Sequence, residues 1–201
     1  MTYSFIEKFK DKFYFIGCDI ETKLINNIEK KCITFPEYNR SMDAKVSNWI
    51  KDYNTNAKHT KHYAVRTGKV SGITVLDFDT EYAYKMFCAN IPNFESYFTV
   101  KTKKGWHVYC LYDPNLKSGN NVLKGLIEII DIRNDPVVFK FSNFWSEKEI
   151  LNGGHAICPP TKYLDINGNY FTYEYLGGTI NPVPQYLYDC LKIKKIKRNN
   201  K

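Results

Sequence analysis

Two carboxylates separated by one residue follow an apolar run in the middle of the 201-residue chain. The sequence GITVLDFD predicts a strand over 72–79, with Asp77 and Asp79 at its end. Because residues i and i+2 of a strand point to the same face, the two carboxylates are predicted to lie side by side. Such a pair repels itself unless a divalent cation lies between its members, so neutralising either residue is expected to relieve the repulsion. A solvated strand end, with Asp79 or Thr80 capping the next helix, explains the pattern equally well.

A third carboxylate lies in GLIEIIDIR, an apolar stretch that predicts a strand over 125–133. Asp131 and Arg133 share one face of that strand, so one interpretation is a partly buried ion pair between them. The other interpretation joins Asp131 to Asp77 and Asp79 in a two-metal site for nucleotidyl transfer. In such a site Mg²⁺ or Mn²⁺ ions about 3.5–4 Å apart activate a hydroxyl and stabilise the leaving pyrophosphate.

A basic turn lies between these acidic strands in the sequence. TKKG joins predicted strands over 96–101 and 105–112, which indicates a hairpin with Lys103 in its turn. Gly105 and His107 share a face of the second strand. A single histidine in a strand is usually a hydrogen-bonded core residue. A cationic or donor group beside paired metals, however, is what a bound triphosphate requires.

The elements that position these residues predict an α+β fold whose sheet is mostly antiparallel. The first forty residues give no clear periodicity. The other predicted elements are helices over 42–53, 80–89 and 184–193 and strands over 62–66, 136–141, 155–158 and 169–175.

Composition indicates a folded protein without a membrane-spanning segment. Apolar residues make up 43% and aromatic residues 16% of the chain, which excludes disorder and coiled coil. No apolar run approaches the roughly 18–20 residues that cross a bilayer. The net charge is +8, but the segment 192–201, predicted to be a basic tail or linker, carries six of the positive charges. Charge therefore supports a nucleic-acid partner only weakly.

The six cysteines are scattered and form no CxxC pair. They are therefore expected to be reduced thiols, and no zinc site is expected. No secretory signal is visible at the N-terminus, so an intracellular location is expected, in the cytoplasm or at a viral replication site in a host cell.

Taken in order, these motifs resemble the archaeo-eukaryotic primase superfamily, and within it the primase-polymerase domains of plasmids and viruses. RTGKVSGITVLDFD is similar to the first family motif and its lead-in, TKKGWHVY to the second and EIIDIR to the third. GGHAICPPTKYLDINGNYFTYEY is similar to the family's Pro-Pro-Ser/Thr segment and the strand after it. The resemblance covers about residues 60–176. The segment 134–152 is longer than expected between the last two motifs, so its charged residues receive no role.

The resemblance implies a fold and a set of site residues. The fold is an RRM-like, mostly antiparallel sheet that carries the motifs, packed with a small N-terminal α/β lobe. One domain is expected over 1–191, with the lobe in 1–60 and the catalytic core in 61–191. Gly105 stands where many relatives have Ser, so its backbone N–H would replace a hydroxyl contact to phosphate. The implied catalytic metal ligands are Asp77, Asp79 and Asp131, and the implied nucleotide-binding residues are His107, Lys103, Gly105 and Arg66.

Two of the arginines also have simpler interpretations. Arg66 is also consistent with a surface arginine at a strand end, and this interpretation is slightly favoured. Arg133 is expected to orient Asp131.

The implied activity is template-directed nucleotidyl transfer by a DNA primase or primase-polymerase, making or extending primers in the DNA replication of a virus or mobile element. Its partners would be single-stranded DNA, nucleoside triphosphates and a helicase, lying C-terminally or acting in trans. Two alternatives remain: a non-catalytic module that binds single-stranded nucleic acid, and a metal-dependent glycosyltransferase of the DxD type. A rolling-circle nuclease is disfavoured because His59 and His62 lack the His-x-His spacing.

Overall fold

The computed structural model describes residues 4–34, 62–127, 130–135, 137–143, 146–152 and 154–199. The helices and strands are α1 (Ser4–Phe9), β1 (Phe15–Ile25), β2 (Ile28–Thr34), β3 (His62–Arg66), β4 (Ile73–Phe78), α2 (Glu81–Asn90), a 3-10 turn (Phe94–Ser96), β5 (Phe98–Lys101), β6 (Trp106–Leu111), β7 (Ile130–Arg133), β8 (Val137–Asn143), β9 (Ser146–Asn152), β10 (His155–Cys158), β11 (Lys162–Leu164), β12 (Tyr170–Thr172), β13 (Glu174–Gly177) and α3 (Gln185–Asn199). This content confirms the predicted α+β class with mostly antiparallel sheets. The helix predicted over 42–53 lies outside the described residues.

The chain divides into two compact units. The first comprises Met1–Arg66 and Ala156–Tyr175, and the second Thr67–His155 and Leu176–Lys201. The sequence instead placed its internal division near residue 60. The single domain over 1–191 stays a prediction.

The first unit contains a four-stranded sheet in the order β10-β3-β1-β2. Strands β1 and β2 form a hairpin whose turn residues, Asn26 and Asn27, have φ values of 53° and 60°. These left-handed values suit a tight hairpin turn. Only the first part of β1 is buried, so apolar alternation does not persist along it. That interruption explains why no clear elements could be predicted here.

The second unit contains a five-stranded sheet in the order β13-β5-β6-β4-β7, which carries the predicted motifs. Strand β4 lies between β6 and β7 and is antiparallel to both. Leu76 and Phe78 point from β4 into a core that includes Phe87 of α2. Helix α2 begins where predicted, because the Thr80 hydroxyl accepts a hydrogen bond from the Ala83 N–H at 3.2 Å. Asp77 therefore points away from this core.

Two elements differ from their predicted extents. Among the described residues of the strand predicted over 125–133, Ile130–Arg133 form a strand, whereas residues 125–127 belong to a turn, Leu123–Ile127, whose two end residues are buried. An apolar run can enter the core from a turn as well as from a strand, and Gly125 at φ 85° permits that turn. Helix α3, predicted to end near residue 193, extends to Asn199. Most of the predicted basic tail is therefore helical, since no Gly or Pro interrupts it.

Two further predictions from the sequence concern the state of the cysteines and membrane-spanning segments. All six cysteines are free thiols. Burial raises the pKa of the Cys18 thiol to about 12. In the portion of the chain that the structure describes, no helix combines the length and the apolar character needed to cross a membrane.

Candidate active site on the five-stranded sheet

Three predicted site residues lie in one row across the sheet. Asp77 of β4 is directly opposite His107 of β6 on one side and Asp131 of β7 on the other. Directly opposite residues of antiparallel strands place their side chains on the same face, with Cβ atoms about 4.5–5.5 Å apart. The fold thus brings together residues that are far apart in the sequence.

Arg133 and His107 contact the carboxylates of this row. The Nη2 atom of Arg133 lies 2.6 Å from Asp131 Oδ2 and 3.3 Å from Asp77 Oδ2. His107 Nε2 lies 3.3 Å from the other oxygen of Asp77. The side chains of Asp77, His107 and Asp131 are only 14%, 7% and 11% exposed. The ion pair considered for Asp131 and Arg133 is therefore present, and Arg133 shares it with Asp77.

The carboxyl group of Asp79 lies near two other carboxylates, those of Asp77 and Asp131. Desolvation, followed by repulsion from Asp77 and Asp131, raises the pKa of Asp79 to about 6. The residue as a whole is exposed, so solvent screens part of this effect. Desolvation also raises the pKa of Asp131, opposed by the Asn121 N–H and by Arg133. The positive groups present do not fully compensate the three carboxylates.

The carboxylates of Asp77, Asp79 and Asp131 are of the type that binds a divalent cation. In this structure, however, Asp77 and Asp131 are oriented toward Arg133. Among the described residues, no three His, Cys, Asp or Glu side chains converge as ligands of one ion. Three carboxylates on or beside adjacent strands provide the oxygen donors that Mg²⁺ and Mn²⁺ prefer. Repulsion from Asp77 and Asp131 contributes to the raised pKa of Asp79, and a bound cation would relieve that repulsion. Binding would require Asp77 and Asp131 to exchange part of their contact with Arg133.

We expect Asp79→Asn to raise the melting temperature at pH 7.5 in EDTA, and to lose this advantage below about pH 4. The folded-state pKa of Asp79 is raised, so stability in the wild type falls as pH rises from about 4 to about 6. Below that window the carboxyl group is protonated in both folded and unfolded states. Thermal melts of both proteins across pH 4–8 measure the difference. An advantage independent of pH would contradict this electrostatic explanation.

The predicted hairpin is present, and its turn is closed by hydrogen bonds. The Thr102 N–H donates to the Gly105 carbonyl at 2.9 Å, and the Gly105 N–H donates to the Thr102 hydroxyl at 3.0 Å. Lys103 lies in this turn, next to the strand that carries His107. The phosphate role predicted for the Gly105 N–H would require it to share or exchange its bond to Thr102. The nucleotide roles of Lys103 and Gly105 stay predictions.

The backbone of β4 explains why residue 105 is glycine. A Cβ atom built at Gly105 would lie 1.6 Å from the Phe78 carbonyl oxygen. No side chain fits there unless the hairpin and the end of β4 separate. A serine at this position is thus incompatible with this close approach.

Gly105→Ser is therefore expected to destabilise the protein by about 1–3 kcal/mol, the usual range for overpacking. Displacement of the strand end should also move Asp79, which directly follows Phe78. Lys104→Ser is the matched control, because it introduces the same side chain at an exposed position of the same turn. Denaturant unfolding measures both. Equal stability of the two variants would show that the hairpin shifts without cost.

Arg66 lies in the first unit, at the end of β3. Its side chain is buried, with the residue only 8% exposed, and its backbone N–H donates to the Tyr14 carbonyl at 2.9 Å. The structure therefore does not place it as a surface arginine. Its predicted contact with nucleotide stays a prediction.

Sequence reasoning missed three asparagines that support the site. The Asn121 N–H donates to Asp131 Oδ1 at 2.6 Å, and the Asn120 side-chain oxygen accepts from Arg133 Nη1 at 3.0 Å. Asn134 is fully buried at the end of β7. Its amide donates to the carbonyls of Asp113 and Leu116 and accepts from the Thr74 hydroxyl, at 2.7–3.1 Å. Most of these bonds use loop backbone, so residue type alone carried no signal for them.

No curated protein matches the chain. The family described as bifunctional DNA primase/polymerase, N-terminal, matches residues 36–166, a range that includes Asp77, His107 and Asp131. The match covers well over half of the chain and confirms the resemblance drawn from the motifs, so the chain belongs to the Prim-Pol family of DNA primase/polymerase domains.

Proposed function

We propose that this domain catalyses template-directed nucleotidyl transfer, in which the 3′-hydroxyl of a primer or first nucleotide attacks the α-phosphate of an incoming triphosphate. The observation that carries the proposal is the row formed by His107, Asp77 and Asp131 across three adjacent strands. In this row His107 is directly beside Asp77, and we propose that it donates to the phosphate of the nucleotide. Family membership supports the same reaction class.

In this proposal the carboxylates hold Mg²⁺ or Mn²⁺. When bound, the ions would activate the attacking hydroxyl and stabilise the leaving pyrophosphate. Asp77 and Asp131 are held in register by β4 and β7, and Asp79 extends the set from the end of β4. His107, with Lys103 and the Gly105 backbone, binds the triphosphate. Arg66 contacts phosphate or template.

Arg133 has a positioning role in this scheme. Its guanidinium group contacts both Asp77 and Asp131, so it sets the distance between their oxygens. It also supplies a positive charge in a site where desolvation makes uncompensated carboxylates costly.

A non-catalytic nucleic-acid module explains the site less well. A template-binding surface is expected to present cations to phosphate, whereas this face presents partly buried carboxylates. A DxD glycosyltransferase leaves Asp131 and the His107 hairpin without a function. Membership of the Prim-Pol family also disfavours both alternatives.

We further propose a replicative setting in a virus or mobile element. The chain has only four arginines among its 29 basic residues, and this lysine bias is compatible with an AT-rich genome. A helicase, C-terminal to this domain or acting in trans, would supply unwound template. Both statements rest on composition and on the resemblance.

The direct test is incubation with a single-stranded template, labelled nucleotides and Mn²⁺ or Mg²⁺, with and without an annealed primer. We expect template-dependent products that require the metal. Comparison of the two primer conditions separates chain initiation from extension, and separate ribo- and deoxynucleotide reactions define the substrate. Template binding without any incorporation under all conditions would favour the binding-module alternative.

A further inference from the structure

We infer that the segment Gly119–Val122, here called the clamp, positions Asp131, and that helix α3 holds the clamp in place through Lys194. The inference rests on the proposed function, because it concerns how Asp131 is presented to a metal ion. It assigns a role to residues that lie outside the three motifs.

The clamp runs beside β7 and is joined to it by an isolated antiparallel bridge between Gly119 and Ile132. The Gly119 N–H donates to the Ile132 carbonyl at 3.0 Å, and the Ile132 N–H donates back at 2.8 Å. The Val122 N–H donates to the Ile130 carbonyl at 2.8 Å. These bonds lie on either side of Asp131. The clamp is therefore fixed to the backbone of the strand that carries this carboxylate.

Between those bonds the clamp reaches the Asp131 side chain. The Asn121 N–H donates to Asp131 Oδ1 at 2.6 Å, while Asp131 Oδ2 accepts from Arg133 at 2.6 Å. Arg133 is in turn bonded to the Asn120 side chain at 3.0 Å. Both carboxylate oxygens are thus oriented, one directly by the clamp and the other through Arg133.

The backbone conformation of Asn121 makes this contact possible. Its φ is 47°, in the left-handed region that asparagine and glycine tolerate and that β-branched residues disfavour strongly. That conformation turns the N–H toward Asp131. A residue that cannot adopt it would move the donor away.

Helix α3 holds the clamp from its other side. The Lys194 ammonium group donates to the Val122 carbonyl. Leu123, which follows the clamp, belongs to the same buried cluster as Leu187 and Cys190 of α3. A shift of α3 would therefore move the clamp and change the orientation of Asp131. This contact gives the C-terminal helix a route to the carboxylate row.

The first test compares Asn121→Val with Asn121→Gly. Affinity for Mn²⁺ is measured by titration without nucleotide, together with the melting temperature. We expect Asn121→Val to weaken Mn²⁺ binding about tenfold, the lower end of the effects seen when groups supporting metal ligands are lost. Asn121→Gly keeps the N–H and the φ value, so its affinity should stay near that of the wild type. If residue 121 were merely structural, we would not expect Mn²⁺ affinity to be lost in Asn121→Val and retained in Asn121→Gly.

The second test compares Lys194→Met with Lys195→Met, which remove the same charge from neighbouring helix positions. Lys195 is exposed, whereas Lys194 bonds to the clamp. Lys194→Met should weaken Mn²⁺ binding by about two- to tenfold, as expected for one lost hydrogen bond. Lys195→Met should leave Mn²⁺ affinity unchanged. If Asn121→Val does not fold, this pair decides the question.

Asp131→Asn separates failure of this inference from failure of the proposed function. If Asp131→Asn loses Mn²⁺ affinity while folded Asn121→Val and Lys194→Met retain it, the clamp has no positioning role and the proposed function stands. If Asp131→Asn itself binds Mn²⁺ as the wild type does, the metal role of Asp131 is wrong. Equal losses in the Val and Gly variants of residue 121 would also overturn the inference, because the backbone donor would not be responsible.

Discussion

Asp77→Asn is expected to reduce template-directed nucleotide incorporation on the order of a hundred- to a thousandfold, while the protein remains folded. Asp77 is the centre of the row, since it is directly opposite both His107 and Asp131. Its replacement removes one of the proposed metal ligands together with the contact to His107. The measurement is single-turnover primer extension in saturating Mg²⁺ or Mn²⁺, with folding checked by circular dichroism.

The stability of this variant is expected to differ from that of Asp79→Asn. The sequence suggested that neutralising either carboxylate relieves repulsion. In the structure, however, Asp77 is contacted by both Arg133 and His107. Replacing it leaves the Arg133 charge less compensated in a partly buried site, so the melting temperature of Asp77→Asn should not rise.

The matched control for this experiment is Glu81→Gln, which neutralises an exposed carboxylate of α2 that pairs with Lys85. Its incorporation rate should equal that of the wild type. Incorporation by folded Asp77→Asn at the rate of the control would contradict the assignment of Asp77 as a metal ligand.

His107→Ala is expected to weaken nucleotide use roughly ten- to a hundredfold while leaving affinity for single-stranded template almost unchanged. A hydrogen bond to a charged phosphate is worth about 1.5–3 kcal/mol, which corresponds to that range. The measurements are the KM for nucleotide in primer extension and the Kd for template by fluorescence anisotropy. A rise in KM without a change in template Kd separates a nucleotide-binding residue from part of a nucleic-acid platform.

Burial of His107 complicates this test and determines its control. The residue is 5% exposed, so its truncation leaves a cavity and should also lower the melting temperature. His62→Ala removes another buried strand histidine, from β3 in the first unit. It should cost stability without a selective rise in nucleotide KM. If His107→Ala shows the same pattern as His62→Ala, His107 is only a core residue.

The sequence by itself determined the local elements around the site and the side chains that they carry. Strand β4, helix α2 with its Thr80 cap and the β5–β6 hairpin all form close to their predicted limits. Each depends on neighbouring residues: alternation along a strand, a hydroxyl at a helix start or a short polar turn. The order of Asp77, His107 and Asp131 was likewise sufficient to indicate the family.

Only the tertiary structure decided how these elements meet. Alternation shows which residues of one strand share a face, but the pairing of β4 with β6 and β7 depends on packing between distant segments. Likewise, an apolar sequence does not distinguish a buried strand from a buried turn, so residues 125–127 were assigned to a strand although they belong to a turn. The bonds from Asn121 to Asp131 and from Lys194 to Val122 join backbone to side chain across the fold. Backbone donors and acceptors are present at nearly every residue, so residue type cannot reveal which of them are used, and the support of the site became visible only in three dimensions.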